Sequence, residues 1–158
     1  MNARTHWFGV AAGIAAACAA VFSPPAAAQA LVAFQVDGRE IRAPLTGAPG
    51  DAARGLDVVR GREEVNCLLC HSVPGTTDRF MGNLGPPLAG AGARLTTGQL
   101  RLWLVDAKRV VPETIMPSYY RVDGLNRVAT RYRGKPILDA QQIEDAVSYL
   151  ATLMEDVR

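Results

Sequence analysis

The chain is 158 residues long, 49% hydrophobic, and carries 17 Lys and Arg against 15 Asp and Glu. That length suits one domain with a modest core. The near-balanced charge argues against nucleic acid as a partner, because such domains are strongly basic.

The first thirty residues read separately from the rest. Arg4 supplies a positive start, Trp7 to Phe22 is an apolar run without a charge, and Ala26 to Ala30 offers small-residue cleavage sites such as Ala28-x-Ala30. This order predicts a secretory signal peptide over 1–30, removed on export. A retained anchor is the rival reading, but the run is Ala-rich and shorter than the roughly 20 strongly apolar residues that span a bilayer. Cys18 follows Ala16-Ala17 as in a lipoprotein cleavage site, yet Ala15 stands where Leu is usual, so Cys18 reads as part of the apolar run. Export predicts a periplasmic protein with no membrane span after cleavage. The 128 residues that remain hold sixteen basic and fifteen acidic side chains, and Cys67 and Cys70 are their only thiols.

Val32, Phe34 and Val36 alternate with other residues, and Asp37-Gly38 is a turn signal. Residues 31–48 are therefore expected to form an extended arm or short hairpin ahead of a main domain at 49–158. A lone hairpin is not stable, so the arm must lie on its own domain or on a partner subunit. Pro49-Gly50 ends the arm, Asp51 is a good N-cap, and Ala52, Gly55, Leu56 and Val59 recur at helical spacing up to about Arg60. Gly55 costs such a helix about 1 kcal/mol relative to Ala. That cost points to a second helix crossing close to the backbone, the alternative being a merely tolerated glycine.

Next comes Cys67-Leu68-Leu69-Cys70-His71. A Cys-x-x-Cys-His run is the attachment sequence of a c-type haem. The two thiols add across the vinyl groups as thioethers, and the following imidazole is the proximal axial ligand. A zinc half-site would need a second Cys or His pair, and after residue 30 there is no other Cys or His. A thioredoxin-like redox pair would need a βαβ setting, and none follows. The spacing thus predicts one covalently attached haem c.

From Ser72 to Ala93 the chain is dense in Gly and Pro, including Gly82-Asn83-Leu84-Gly85-Pro86-Pro87. So long a loop in a small domain usually has a task, here to line one side of the haem. A metal-bound His generally donates its other ring N–H to a carbonyl or carboxylate. The Pro86 carbonyl is the candidate, unless the prolines only shape the turn. Thr96 and Gln99 make a capping box that opens a helix to about Lys108, with Leu100, Trp103, Leu104 and Ala107 as its apolar stripe. Trp103 reads as core packing in a domain where core and haem pocket overlap. Pro112 stops that helix, and Pro117 pushes Met116 into an extended conformation. Residues 121–135 carry Arg121, Arg127, Arg131, Arg133 and Lys135 against Asp123 alone. Such a run is usually a solvated loop; the alternatives are docking of an acidic partner and pairing with haem propionates. Asp139 and Gln142 cap the last helix, with Ile143, Ala146, Val147, Leu150 and Leu153/Met154 on one face. The predicted fold is mostly α.

The sixth ligand must come from what remains. With no second His in the exported chain, bis-His ligation from within is excluded, and three Met residues are left. Met154 reads as core of the last helix. Met81 lies on the loop that should cover the proximal side. Met116, held extended before a proline, is the best placed, with Lys108, Lys135 or an open position as the other choices. A His/Met pair stabilises ferrous iron relative to bis-His, and leaves no vacant position for substrate. Such a site carries one electron and performs no bond chemistry itself.

The order of capped helix, CxxCH, Gly-Pro loop, helix, Met-Pro and final helix resembles class I cytochromes c over roughly residues 51–154. More narrowly, residues 43–51 (APLTGAPGD), 82–86 (GNLGP), 111–121 (VPETIMPSYYR), 132–138 (YRGKPIL) and 143–150 (IEDAVSYL) resemble SoxX. SoxX is the monohaem subunit of the SoxAX cytochromes of sulfur-oxidising bacteria. The resemblance implies a class I cytochrome c-like domain with an N-terminal extended arm, in a heterodimer with a larger SoxA-type cytochrome subunit. It implies a complex of the L-cysteine S-thiosulfotransferase kind, which joins thiosulfate oxidatively to a cysteine on a SoxY-type carrier protein. The reactive haem would belong to SoxA. This chain would have no catalytic residue of its own and would pass electrons to a small soluble acceptor. Cys67 and Cys70 would carry the haem, and His71 and Met116 would ligate its iron. The rival functions are a free-standing electron shuttle and an enzyme with five-coordinate haem.

Overall fold

Three long helices, one short one and the loops between them enclose the core. The computed structural model describes residues 31–155, so the expected signal peptide at 1–30 lies outside the described residues. In chain order the α-helices are α1 (Ala52–Arg60), α2 (Ala91–Arg94), α3 (Thr97–Asp106) and α4 (Ala140–Thr152). Among the described residues there is no named strand, and no helix is long and apolar enough to cross a membrane.

Each long helix starts where its capping residue dictates. The Asp51 carboxylate accepts from the Arg54 N–H at 2.8 Å. Thr96 with Gln99 and Asp139 with Gln142 form reciprocal capping boxes at α3 and α4, each satisfying two of the N–H groups that a helix start leaves unpaired. α3 stops at Asp106 and tightens into a 3-10 turn over Ala107–Arg109. α4 stops at Thr152, two residues short of Met154. Met154 is 59% exposed, so its expected place in the core is corrected: the helix that would have carried it inward has ended.

α1 crosses α4 at Gly55, where a Cβ would collide with the Asp145 carbonyl. The glycine is required by close approach and is not merely tolerated. The crossing is fastened beside it. Arg54 Nε and Nη2 donate to the two Asp145 oxygens at 2.7 and 2.8 Å, and the Asp51 N–H donates to the same carboxylate at 2.8 Å. Burial opposes the Asp145 charge, but hydrogen bonds from Arg54, the Asp51 N–H and Gln141 outweigh it and hold the pKa below the usual carboxylate range.

The arm lies on its own domain. It has one tight turn, with Asp37 and Glu40 exchanging backbone hydrogen bonds. Beyond that turn Ile41 and Leu45 are buried in the common core. The Ile41 N–H donates to the Gly98 carbonyl at 3.0 Å. Arg101 Nη1 donates to the Ile41 carbonyl at 2.6 Å, and the Leu45 N–H donates to Glu144 Oε1 at 2.9 Å. Arg101 and Glu144 form a two-pronged ion pair at 2.7 and 2.9 Å with only 4 and 3% of each residue exposed. The arm is thus stitched to α3 and α4 through a buried charge pair.

Candidate functional site

A cavity of about 420 Å³ opens between α1, α3, α4 and the two loops that flank α3, within the range of about 300–1,000 Å³ usual for bound small molecules. Its walls are almost wholly apolar, and Cys67, Cys70, His71 and Met116 all face it. The four site residues named from sequence are therefore brought to one place.

Local geometry explains the first three. Asn66 caps a single 3-10 turn over Cys67–Leu69, its Oδ1 accepting from the Leu69 N–H at 3.1 Å. The His71 N–H reaches back to the Cys67 carbonyl at 2.9 Å. This turn sends Leu68 into the core and Leu69 out to solvent, where it is 66% exposed, while both thiols and the imidazole stay on the cavity wall. The thiols are unbridged. Burial pushes the Cys67 thiol up to about 11, so at neutral pH it is protonated and leaves no charge in the apolar wall.

The imidazole is oriented from behind. His71 Nδ1 donates to the Pro86 carbonyl at 2.7 Å. A carbonyl can only accept, so Nδ1 carries the proton and Nε2 keeps its lone pair free to bind a metal. Gly85 lies against the ring so closely that a Cβ there would strike it. The loop is fixed by the Gly85 N–H on the Cys70 carbonyl at 2.8 Å and the Leu88 N–H on the Ser72 carbonyl at 2.9 Å. Pro86 therefore does more than shape a turn.

Met116 arrives on the loop after α3. That loop is tied down on both sides of it: Lys108 Nζ donates to the Thr114 carbonyl at 2.8 Å, Ser118 Oγ to Asp106 at 2.6 Å, and the Tyr119 N–H to the Leu104 carbonyl at 3.0 Å. The competing ligands lie elsewhere. Met81 sulfur accepts from the Val73 N–H at 3.2 Å and is not on the cavity wall. Met154 is outside the core, and Lys108 and Lys135 do not line the cavity. Burial raises the Tyr119 phenol pKa, with the neighbouring Cys67 and Cys70 adding to it, so this cavity-lining hydroxyl stays neutral.

The donor set suits haem c. It offers two free thiols separated by two residues, an imidazole with its tautomer fixed, a thioether, apolar walls, and a glycine that makes room for the ring. The sequence reading missed Arg94, the one Lys or Arg on the wall, whose Nη1 and Nη2 donate to the Ala89 and Pro87 carbonyls at 2.7 and 3.0 Å. Its signal was a lone cation closing a Gly- and Ala-rich stretch. None of the basic residues of 121–135 lines the cavity, so the suggested pairing of that run with propionates finds no support. Trp103 is on the wall, which makes it part of the site as well as of the packing.

Comparison with known proteins agrees with this geometry. A family model described as cytochrome c matches residues 58–154, a span that holds both the CxxCH turn and Met116. No curated protein matches the chain. Among solved structures, a chain of the crystal structure of SoxXA from P. pantotrophus is similar at 40% identity. The match covers 77% of this chain and 95% of that one, with a TM-score of 0.72.

Proposed function

This chain belongs to the cytochrome c family and is a SoxX-type cytochrome, and from that premise we propose that it is the monohaem electron-transfer subunit of a periplasmic SoxAX complex. One haem c would be attached through Cys67 and Cys70, with His71 and Met116 as axial ligands. Bound there, the haem supplies a one-electron redox centre. The protein's part is to hold it in a dry, fixed setting. Pro86 fixes the His71 tautomer and ring angle, and the hydrogen bond it accepts makes the imidazole a stronger donor. The thioether of Met116 favours the ferrous state, and so do apolar walls, which disfavour the extra positive charge of the ferric form. With His71 and Met116 both holding the iron there would be no place on it for a substrate, which suits a carrier and not a catalyst.

The observation that carries the reading is that His71, oriented by Pro86, and Met116 face one apolar cavity. Likeness to a SoxXA chain supports a SoxA-type partner in a heterodimer. On the same kinship, the electrons would come from joining thiosulfate to a cysteine of a SoxY-type carrier, with that bond chemistry on the SoxA-type subunit, and would leave to a soluble acceptor. Export by a signal peptide at 1–30, an arm at 31–48 and a cytochrome domain at 49–158 belong to this reading. Two measurements test it. The exported haem protein should co-purify with an equimolar larger cytochrome subunit; a monomer would instead support a free-standing shuttle. Met116→Ala should lose the Met–iron charge-transfer band, and its survival would refute the ligand assignment.

A further inference from the structure

The most basic stretch of the chain is left unused by the haem site. Most basic side chains among the described residues are ion-paired with an acid or donate to a backbone carbonyl. Arg79, Arg127, Arg131, Arg133 and Lys135 make no ion pair and no side-chain hydrogen bond there, and all but Arg79 fall between 127 and 135. Those four are exposed. No acid occurs from residue 124 to residue 138, so the charges cannot be neutralised from within the loop. Like charges so close repel one another, and the fold keeps them together all the same.

It keeps them in a built loop. Gly124, Arg127 and Gly134 take left-handed backbone angles, of which only that of Arg127, at +56°, is unusual for its residue type. Between them Thr130–Tyr132 forms a 3-10 turn, and the Arg131 guanidinium stacks 4.8 Å from the Tyr132 ring centre. The loop leaves from Tyr120 and returns at Leu138, where the Ile137 and Leu138 N–H groups donate to the Tyr119 carbonyl at 2.9 and 3.1 Å. Tyr119 and Leu138 both line the haem cavity. The basic surface is thus hinged on the cavity wall, a few residues beyond Met116.

We propose that the Arg127–Lys135 loop is the docking surface for an acidic electron-transfer protein, the transient partner that takes the electron away. The inference rests on the electron-carrier reading above. Unpaired cations suit a transient partner better than a lasting one. Burying four of them in a permanent interface would be costly unless every one met an acid. A transient complex needs only steering and loose charge matching at a wet rim, which raises association rates and is screened by salt. In the step served, one electron passes to the oxidised metal centre of the partner, and no bond is made or broken.

The test uses the haem-loaded protein with two probes, an acidic plastocyanin made redox-inert with zinc and a basic mitochondrial cytochrome c, and titration calorimetry over a range of salt. The wild-type protein should bind the acidic probe, more weakly as salt rises, and should not bind the basic one. The R127Q/R131Q/R133Q/K135Q variant should bind the acidic probe about tenfold or more weakly at low salt, with an unchanged absorption spectrum and reduction potential. The R127K/R131K/R133K variant keeps the charge and should bind like wild type. Equal binding by the Gln variant, affinity indifferent to salt, or equal binding of the basic probe would overturn the proposal. A Gln variant with an altered haem spectrum would also overturn it, because the loop would then be supporting the site. The carrier reading fails separately: it falls if copper plastocyanin cannot oxidise the ferrous wild-type protein, whatever the binding shows.

Discussion

Glu144→Ala is expected to be among the most damaging single substitutions outside the haem site. The Glu144 carboxylate accepts from Arg101 at 2.7 and 2.9 Å and from the Leu45 N–H at 2.9 Å, in a site only 3% exposed. Removing one member of a buried pair strands the other charge at a cost of about 3–5 kcal/mol. Against a total stability of about 5–15 kcal/mol, that is a large share, and it lowers the melting midpoint by roughly 10–20 °C. Denaturant unfolding of the haem-loaded protein reads it directly. An ordinary buried pair is often replaced by two apolar residues at little cost. Here the pair also satisfies the Ile41 carbonyl and the Leu45 N–H, and each buried backbone group left unpaired costs about 1–3 kcal/mol. The Arg101→Leu/Glu144→Leu protein should therefore recover only part of the loss and stay about 2 kcal/mol below wild type. Its arm should also be cut by protease sooner than that of wild type. A loss under about 1 kcal/mol for Glu144→Ala, or full recovery in the double variant, would refute the view that this pair anchors the arm.

The caps and the close crossing were legible in the sequence because their causes are local. A carboxylate or hydroxyl three residues ahead of its N–H partner, as with Asp51, Thr96 and Asp139, needs no tertiary structure to act. Gly55 showed itself because a helix rarely keeps a glycine without a steric reason. The CxxCH turn, and Met116 as the one candidate among its competitors to face the cavity, could be read from the residue types a haem needs. What stayed hidden depends on residues distant in the chain. Arg101 and Glu144 are 43 positions apart, and each alone looks like a solvated charge on a helix. α3 is buried on more sides than its apolar stripe suggested, because the arm covers the face that carries Arg101. The Arg94 fork is local by comparison, five and seven residues from the carbonyls it grips, but those come together only once the loop has folded. Met154 misled because apolar spacing continues past the residue where the helix stops. Periodicity marks a face without marking its end.

Gly55→Ala should lower stability by about 1–3 kcal/mol in denaturant unfolding, since the new methyl meets the Asp145 carbonyl; a gain, as helix propensity alone predicts, would show that the helices move apart freely. For Asp145 the lowered pKa means stability present above the unfolded value of about 3.9 and lost as pH falls through the folded one. Asp145→Asn should therefore be less stable than wild type near neutrality, with the gap closing on acidification below about pH 4, and a gap unchanged with pH would discount the Arg54 pairing. Gly85→Ala bears on the site itself. Its methyl would meet the His71 ring, and neither can yield cheaply: the ring is held by the Pro86 carbonyl at 2.7 Å and the Gly85 backbone by the Cys70 carbonyl at 2.8 Å. Under the proposed ligation, either the ring would turn and weaken its hold on the iron, or the loop would lift and the Nδ1–H lose its acceptor. The first outcome would lower the yield of low-spin haem protein. The second leaves a less basic imidazole, which raises the reduction potential because ferric iron loses more than ferrous. A variant with wild-type haem yield, spectrum and potential would mean that the contact between Gly85 and the ring does not govern how His71 is held.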